Sequence, residues 1–212
     1  MSLQISELFF SIQGESLDAG LACAFVRLAG CNLCCTYCDT AYARHGGTPM
    51  EIPEILDHVA RFGCSLVEIT GGEPLLQKDT PLLIQHLLSA GYRVLLETNG
   101  TQDIGLVDTA CVRIVDVKCP SSGESEKNDA RNPDRLNAHD QVKFVISDRN
   151  DYIFAKKTAG RITAVAPDHL LFSPVHGLLA PSQLAQWILE DGLPVRLHLQ
   201  LHKILWGEAR GK

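Results

Sequence analysis

Three cysteines lie in one short segment, with a spacing suited to metal chemistry. Cys31, Cys35 and Cys38 follow the pattern C-x3-C-x2-C inside GCNLCCTYCDT, residues 30–40. Thiolates are soft ligands that iron–sulfur clusters prefer, and a short loop can bring three of them to three corners of a cubane cluster. Three protein ligands for four irons leave one iron open to a substrate or cofactor. The spacing therefore predicts a [4Fe-4S] cluster with an open iron.

A structural zinc site is the alternative interpretation of these cysteines. Zinc sites that stabilise a fold usually have four protein ligands, and either Cys34 or His45 could supply the fourth. Cys34 is adjacent to Cys35, however, and neighbouring side chains point apart on most backbones. The spacing thus favours the cluster. With zinc instead, the chain would be a non-catalytic, zinc-stabilised interaction domain.

The composition indicates a globular protein from a reducing compartment. The chain has 212 residues, of which 45% are hydrophobic and 21% charged, and its net charge is −6. It has no basic run suited to a nucleic acid, no apolar run long enough to span a membrane and no secretory signal pattern. We expect a cytoplasmic protein with one domain over residues 1–212 and with neither nucleic acid nor membrane as a partner. Eight cysteines in that compartment point to metal or redox chemistry rather than disulfides.

Strand-like runs and helical patterns alternate along the chain. The patterns predict strands at residues 22–29, 65–70, 93–98, 112–117, 141–147, about 169–173 and 195–205. Between them, Thr48 and Glu51 have capping-box spacing, which predicts a helix with Pro49 in its first turn. Further helices are predicted from Asp79 to Gly91, before Gly160 and around residues 184–188.

Alternating strands and helices predict a parallel sheet with crossover helices. The number of strand–helix units is too small for a closed eight-unit barrel. We therefore expect an α/β fold in which parallel strands form a truncated, open, partial TIM-like barrel. Residues 121–139 are polar and interrupt the alternation as an irregular excursion. Functional residues should lie at the carboxyl ends of the strands and in the loops that follow them.

The cysteine segment resembles the signature of the radical S-adenosylmethionine superfamily. Tyr37 supplies the aromatic residue that precedes the last cysteine, and ITGGEPLLQ at 69–77 resembles the GGE motif that follows the second strand. Glycines at this point let the backbone approach a ligand closely. The resemblance implies a radical S-adenosylmethionine core, with the cluster loop at 31–38 and S-adenosyl-L-methionine as the cofactor.

Within that superfamily, the chain resembles the 7-carboxy-7-deazaguanine synthases. The most specific segments are ELFFSIQGES (7–16) and FVRLAGCNLCCTYCDTAYA (25–43), followed by ETNG, VKFVISD and LHKILW. The resemblance implies a radical ring contraction of 6-carboxy-5,6,7,8-tetrahydropterin to 7-carboxy-7-deazaguanine with release of ammonia, in queuosine-type deazapurine biosynthesis. It also implies Mg²⁺, a homodimer and an electron donor such as flavodoxin or ferredoxin. A glycyl-radical-enzyme activase is the nearest alternative, because it would share the cluster and cofactor but act on a protein.

The same resemblance implies individual roles. Substrate would be bound by Ile12, Gln13, Gly14, Glu15, Arg27 and Thr70. S-adenosylmethionine would be bound by Tyr37, Cys38, Asp39, Gly72, Glu73, Lys118, Cys119, Ser121, Ser173, Pro174, Val175 and His176. Arg27 would pair with the substrate carboxylate, since a guanidinium can make bidentate contact. Thr40 would bind Mg²⁺ together with substrate oxygens and water.

Overall fold

A computed structural model describes residues 1–207 and 209–212 and places all of its strands in one sheet. The strands are β1 (Ser2–Ile12), β2 (Ala22–Leu28), β3 (Thr48–Glu51), β4 (Leu66–Gly71), β5 (Arg93–Thr98), β6 (Val112–Asp116), β7 (Gln141–Ile146), β8 (Leu170–Pro174) and β9 (Arg196–Leu197). The helices are α1 (Ile52–Arg61), α2 (Thr80–Ser89), α3 (Arg149–Ala159), α4 (Pro181–Glu190) and α5 (Leu201–Trp206). None of these described helices has the length and apolar character needed to cross a membrane.

The sheet is open and mostly parallel. Its strand order is β3-β1-β2-β4-β5-β6-β7-β8-β9, and every neighbouring pair from β2 to β9 is parallel. Strand β1 runs antiparallel to both of its neighbours, β2 and β3. The prediction of a truncated barrel of parallel strands is therefore confirmed. The excursion at 121–139 contains short 3₁₀ turns and no strand, in agreement with the sequence pattern.

Alternation along the strands separates two apolar layers. On β4, Val67 and Ile69 belong to the outer core, together with Ile55 of α1 and Leu83 of α2. The opposite, concave side of the sheet holds a smaller apolar cluster that includes Leu66. Successive side chains of a strand point to opposite faces. Glu68 and Thr70, toward the carboxyl end of β4, therefore face the concave side.

Two local predictions are wrong. Residues 48–51 form strand β3, which pairs with β1 through Ile5 and Thr48, and helix α1 begins only at Ile52. Glu51 precedes the helix in extended conformation, and no side chain caps it. The open edge of β1 binds this segment with backbone hydrogen bonds. Strand β1 was itself not predicted from the sequence, and local capping signals carry no information about pairing with a distant strand.

The C-terminal prediction is the second error. Only Arg196–Leu197 of the alternating run at 195–205 forms a strand, and Leu201–Trp206 is a helix. The Leu201 amide donates to the Gly14 carbonyl at 2.8 Å. This contact with a distant loop takes the chain away from the sheet edge, so alternation alone gives the wrong structure here.

Candidate active site

One cavity of about 540 Å³ lies at the carboxyl ends of the parallel strands. It is lined by the end of β1, the loop after β2, the glycines at the end of β4 and residues that follow β5, β6 and β8. Parallel strands direct their carboxyl ends to one edge of a sheet, which is where ligands bind in open α/β folds. The sheet topology therefore brings segments from most of the chain to one site.

The three spaced cysteines all line this cavity. Cys31, Cys35 and Cys38 follow β2 with free thiols, whereas Cys34 and His45 lie outside the lining. No group of three or more His, Cys, Asp or Glu residues in the described part of the chain is gathered closely enough to hold a metal ion. The thiols thus share one cavity without converging on a single point.

The donor set nevertheless fits an iron–sulfur cluster. Three soft thiols lie on one cavity wall, and the Asn99 Nδ2 donates toward Cys31 Sγ at 3.8 Å. Arg44 donates to the Cys35 carbonyl at 3.2 Å and approaches Cys34 Sγ at 3.7 Å. N–H donors around thiolates favour the negative charge of a bound cluster. A four-ligand zinc site fits less well, because both candidate fourth ligands lie outside the cavity.

Two glycines, the last residue of β4 and the one after it, allow the backbone to pack against the cysteine loop. A Cβ on Gly72 would lie 2.1 Å from the Gly30 carbonyl oxygen and 2.8 Å from Cys31 Cβ. A Cβ on Gly71 would lie 2.1 Å from the Leu28 oxygen, and its φ of 147° also favours glycine. The GG pair is therefore required by space, and it fixes the position of the cysteine loop.

Glu73, the next residue, is a buried support for this packing. It lies outside the cavity lining and is fully buried. Its carboxylate accepts from the Asn99 amide at 2.7 Å, the Leu75 amide at 2.9 Å and the Thr98 hydroxyl at 2.9 Å. Burial raises the pKa of Glu73, while these hydrogen bonds act to lower it. The carboxylate thus ties the GGE segment to the end of β5.

The residues predicted to bind substrate line the cavity together: Ile12, Gln13, Gly14, Glu15, Arg27 and Thr70. Gly14 packs against the C-terminal helix, since a Cβ there would lie 2.3 Å from His202 Nδ1. Arg27 is half-buried, and its Nε donates to Glu7 Oε2 at 3.0 Å. Tyr42 donates to the same oxygen at 2.9 Å, which fixes the acceptor. Arg27 is therefore held in place by its Nε, and it does not extend into solvent.

The residues predicted to bind S-adenosylmethionine divide into two groups. Those that line the cavity are Tyr37, Cys38, Asp39, Gly72, Lys118, Val175 and His176. Those outside its lining are Glu73, Cys119, Ser121, Ser173 and Pro174. Cys119 is fully buried in the core beneath α3, and the Ser121 amide donates to Asp151 at 2.9 Å. The second group borders the site without facing it, so direct roles for its side chains remain predictions.

Thr40, predicted to bind Mg²⁺, also lines the cavity. Its hydroxyl donates to Asp39 Oδ1 at 3.0 Å, and Lys203 lies 3.7 Å from the other Asp39 oxygen. These oxygens are hard ligands of the kind that Mg²⁺ prefers. Two neighbouring residues cannot complete an octahedron, so substrate oxygens and water would have to supply the remaining ligands.

A largely buried polar layer at the base of the cavity was not predicted from the sequence. Glu68, Glu97, Asp116 and Lys143 lie on four adjacent strands, β4 to β7, and all four line the cavity. Lys143 binds Glu15 at 2.7 Å and also forms a short ion pair with Glu97. The available signal was a charged residue within each otherwise apolar strand, as in VEIT, LLET, IVDV and VKFV.

Burial and mutual charge perturb this layer. Burial acts to raise the pKa of Glu15, but the Lys143 ammonium and two histidines outweigh it and lower that pKa. Burial acts to lower the pKa of Lys118, but Asp116 at 2.8 Å raises it to about 12. For Glu68, burial and then the Glu97 charge raise the pKa to about 8. The layer therefore combines ion pairs with one carboxyl group, Glu68, whose pKa is raised.

Comparison with known proteins identifies the family. A Radical SAM superfamily model matches residues 26–113. A 7-carboxy-7-deazaguanine synthase from Chlorobaculum tepidum is 46% identical over 217 residues, covering 99% of this chain and 97% of that protein. One from Koribacter versatilis is 44% identical over 219 residues, covering 96% of this chain and 97% of that protein. The chain belongs to the 7-carboxy-7-deazaguanine synthase family.

Solved structures support the fold of this family member. The crystal structure of QueE from Escherichia coli matches with a TM-score of 0.79 at 21% identity, covering 95% of both chains. Streptococcus suis SuiB, solved with its precursor peptide SuiA, matches with a TM-score of 0.59 at 12% identity, over 82% of this chain and 47% of that one. At such identities the similarity shows the fold alone, and it agrees with the open sheet described above.

Proposed function

We propose that the chain converts 6-carboxy-5,6,7,8-tetrahydropterin to 7-carboxy-7-deazaguanine with release of ammonia, as a radical S-adenosylmethionine lyase. The observation that carries this proposal is near full-length similarity, at 46% identity, to a relative named 7-carboxy-7-deazaguanine synthase. The cavity adds support, because it gathers the three spaced cysteines and residues 12–15 of the SIQGE segment on one surface. Neither the activase nor the zinc-domain alternative has an observation in its favour.

The cysteine loop would hold the [4Fe-4S] cluster through Cys31, Cys35 and Cys38. When bound, the cluster and S-adenosylmethionine supply the electron and the 5′-deoxyadenosyl radical that removes a substrate hydrogen. The packing of Gly72 against Gly30 would set the distance between loop and cofactor. Tyr37, whose hydroxyl donates to the Val145 carbonyl at 3.4 Å, spans from the loop to β7 and would cover the cofactor.

Arg27 would bind the substrate carboxylate. Glu7 accepts only its Nε, so the two terminal nitrogens can face a ligand in the cavity. A guanidinium that is already held at its Nε can bind a carboxylate through both terminal nitrogens with little further loss of side-chain freedom. Thr40 and Asp39 would place Mg²⁺ beside that carboxylate, where the cation would neutralise charge and orient the ring.

The base of the cavity would exclude water from the reacting ring. Phe9 and Phe25 line it with stacked rings whose centroids are 4.8 Å apart. The α5 helix reaches the same cavity through His202 and Lys203. A radical intermediate needs such shielding, because solvent and side chains are alternative hydrogen sources. We also propose a homodimer, a donor such as flavodoxin or ferredoxin and a cytoplasmic location, all on the family resemblance.

An anaerobic assay tests the function. Reconstituted protein is incubated with 6-carboxy-5,6,7,8-tetrahydropterin, S-adenosylmethionine and a reductant, with and without Mg²⁺, and products are followed by absorbance and mass. We expect 7-carboxy-7-deazaguanine, formed faster with Mg²⁺. Iron-loaded protein that cleaves S-adenosylmethionine but yields no deazapurine would refute the substrate assignment. Colourless protein with one zinc and no iron would refute radical chemistry altogether.

A further inference from the structure

Charge balance singles out one carboxyl group in the polar layer. Its other two carboxylates and the neighbouring Glu15 have an ammonium partner: Glu15 and Glu97 bind Lys143, and Asp116 binds Lys118. Glu68 is different, since none of the ion pairs among the described residues includes it. An unpaired ionised carboxylate in such a place loses hydration without gaining an ammonium partner, which is the desolvation penalty of a buried ion. The group avoids this penalty by keeping its proton.

The immediate contacts of Glu68 agree with a neutral acid. Its residue is 4% exposed, and the Gln13 amide donates to its Oε2. No described residue donates to its other oxygen, and the side chain lines the cavity. Four groups act on it from the surrounding strands and loops: Glu97 from β5, Glu15 from the loop after β1, Lys143 from β7 and the buried Cys23 thiol from β2.

A Glu15–Gln13–Glu68 line of contacts runs along the cavity lining and reaches Glu15 at its backbone amide, while Lys143 at 2.7 Å and Gln200 at 2.9 Å hold the Glu15 carboxylate. While the Gln13 amide nitrogen donates to Glu68, its amide oxygen accepts from the Glu15 backbone amide at 3.0 Å. At one end of the line stands an ionised carboxylate, which only accepts hydrogen bonds. At the other end a protonated carboxyl can donate one. The wall therefore presents acceptors and a donor in a fixed order.

Two stacked aromatic rings lie beside Glu68 in the cavity lining. Phe25 is the register partner of Glu68 in the parallel pair β2 and β4, so their side chains lie next to each other on the concave side. The Phe9 and Phe25 rings are stacked at 5°. Aromatic rings offer a face for a planar heterocycle, and the Glu15–Gln13–Glu68 line offers hydrogen bonds to its edge.

We propose that Glu68 is a specificity-determining residue, which as a neutral acid donates a hydrogen bond to the ring carbonyl of a 2-amino-4-oxo heterocycle. Glu15 accepts from the amino group at the other end of the same edge. A pterin has that order of groups: an amino donor, a ring N–H donor and a carbonyl acceptor. This inference rests on the proposed function and deepens it, because it assigns the recognition of the substrate's pyrimidine edge.

Equilibrium binding without turnover tests the assignment. Cluster-loaded enzyme is titrated anaerobically, in the absence of S-adenosylmethionine, with the tetrahydropterin substrate and with its 2,4-diamino analogue, which has an amino group in place of the carbonyl. We expect wild type to bind the substrate at least about tenfold more tightly than the analogue, the size of one lost hydrogen bond with an unpaired group. Tighter binding of the analogue would overturn the proposal.

Two variants at position 68 test whether Glu68 acts on the substrate as a neutral donor, as an anion, or only as a structural residue. Glu68→Gln keeps a neutral donor, so substrate affinity at pH 7 should stay within about threefold of wild type. Glu68→Met removes the donor and should weaken substrate binding about tenfold or more. Glu54→Gln, on the exposed face of α1, is the control for the same change of residue type and should leave binding unchanged. Equal losses for Glu68→Gln and Glu68→Met would refute the donor role.

The pH dependence supplies a signature that a structural role would not give. Because the proton on Glu68 makes the bond, wild-type affinity should be constant below about pH 7 and fall as pH rises through about 8. Glu68→Gln has no proton to lose and should show a flat profile, even if Glu68→Met fails to fold. The same falling profile in Glu68→Gln would overturn the proposal. Wild type that neither binds nor converts the pterin would instead refute the proposed function itself.

Discussion

Substitution of Gly72 by alanine tests how the GGE segment positions the cysteine loop. An alanine Cβ would lie 2.1 Å from the Gly30 oxygen and 2.7 Å from the Gly30 carbon. Ordinary contacts of this kind are longer than about 3 Å, so the two backbone segments must separate by about 1 Å. Neither atom belongs to a flexible side chain that could rotate away. Overpacking of this size costs about 1–3 kcal/mol, which for a chain of this length lowers the melting temperature by about 2–12 °C.

The functional effect should exceed the loss of stability, because the displaced backbone leads directly into Cys31. We expect Gly72→Ala to take up less iron during anaerobic reconstitution and to bind S-adenosylmethionine more weakly. Iron per chain, melting temperature and cofactor affinity are measured on the same preparation. Gly160→Ala is the matched control, since its Cβ would come no closer than 3.4 Å to any neighbour, the Lys156 oxygen. Its melting temperature and iron content should equal those of wild type.

A Gly72→Ala variant that melts within about 1 °C of wild type and binds the same amount of iron would contradict this prediction. Such a result would mean that the loop and the glycine pair are free to separate, so that their packing does not set the geometry of the cluster site. A lower melting temperature with full iron loading would confine the effect to stability. That outcome would contradict the proposed link between Gly72 and the cysteine loop.

Three further predictions address other parts of the site. Lys143→Met leaves the half-buried carboxylates of Glu15 and Glu97 without their ammonium. This should cost about 3–5 kcal/mol, more at about pH 8 than at about pH 5, where protons can replace the cation. Equal losses in melting temperature at both pH values would contradict this. Cys35→Ser should abolish iron loading, whereas exposed Cys34→Ser should preserve it, and loss of iron from both would point to a different ligand set. Arg27→Lys keeps the charge but loses the planar guanidinium and its Nε contact with Glu7. The KM for the pterin should therefore rise about tenfold with a smaller change in kcat. An unchanged KM would mean that Arg27 does not bind the substrate carboxylate.

The strands of the parallel sheet were predictable because their signal is local. An apolar run such as LVEITG buries side chains on both faces wherever it is placed, and β5 follows its predicted bounds, Arg93–Thr98. The cysteine spacing was equally local, because three ligands in so short a segment can meet only around one site. Strand β3 and helix α5 were not predictable in this way. Each depends on a remote partner, namely the edge of β1 or the surface of Gly14.

The active-site residues show the same division between sequence and tertiary structure. By itself, the sequence determined the cluster motif, the glycine pair and the residues of SIQGE, since each is a short segment with its own spacing. Only the tertiary structure decided that Glu68 faces Gln13 and Glu97. None of the ion pairs among the described residues gives Glu68 an ammonium partner. Its protonation depends on how many charges the sheet register gathers within a few ångströms of one another. That number is a property of the folded sheet, because the residues involved are up to 128 positions apart in the chain.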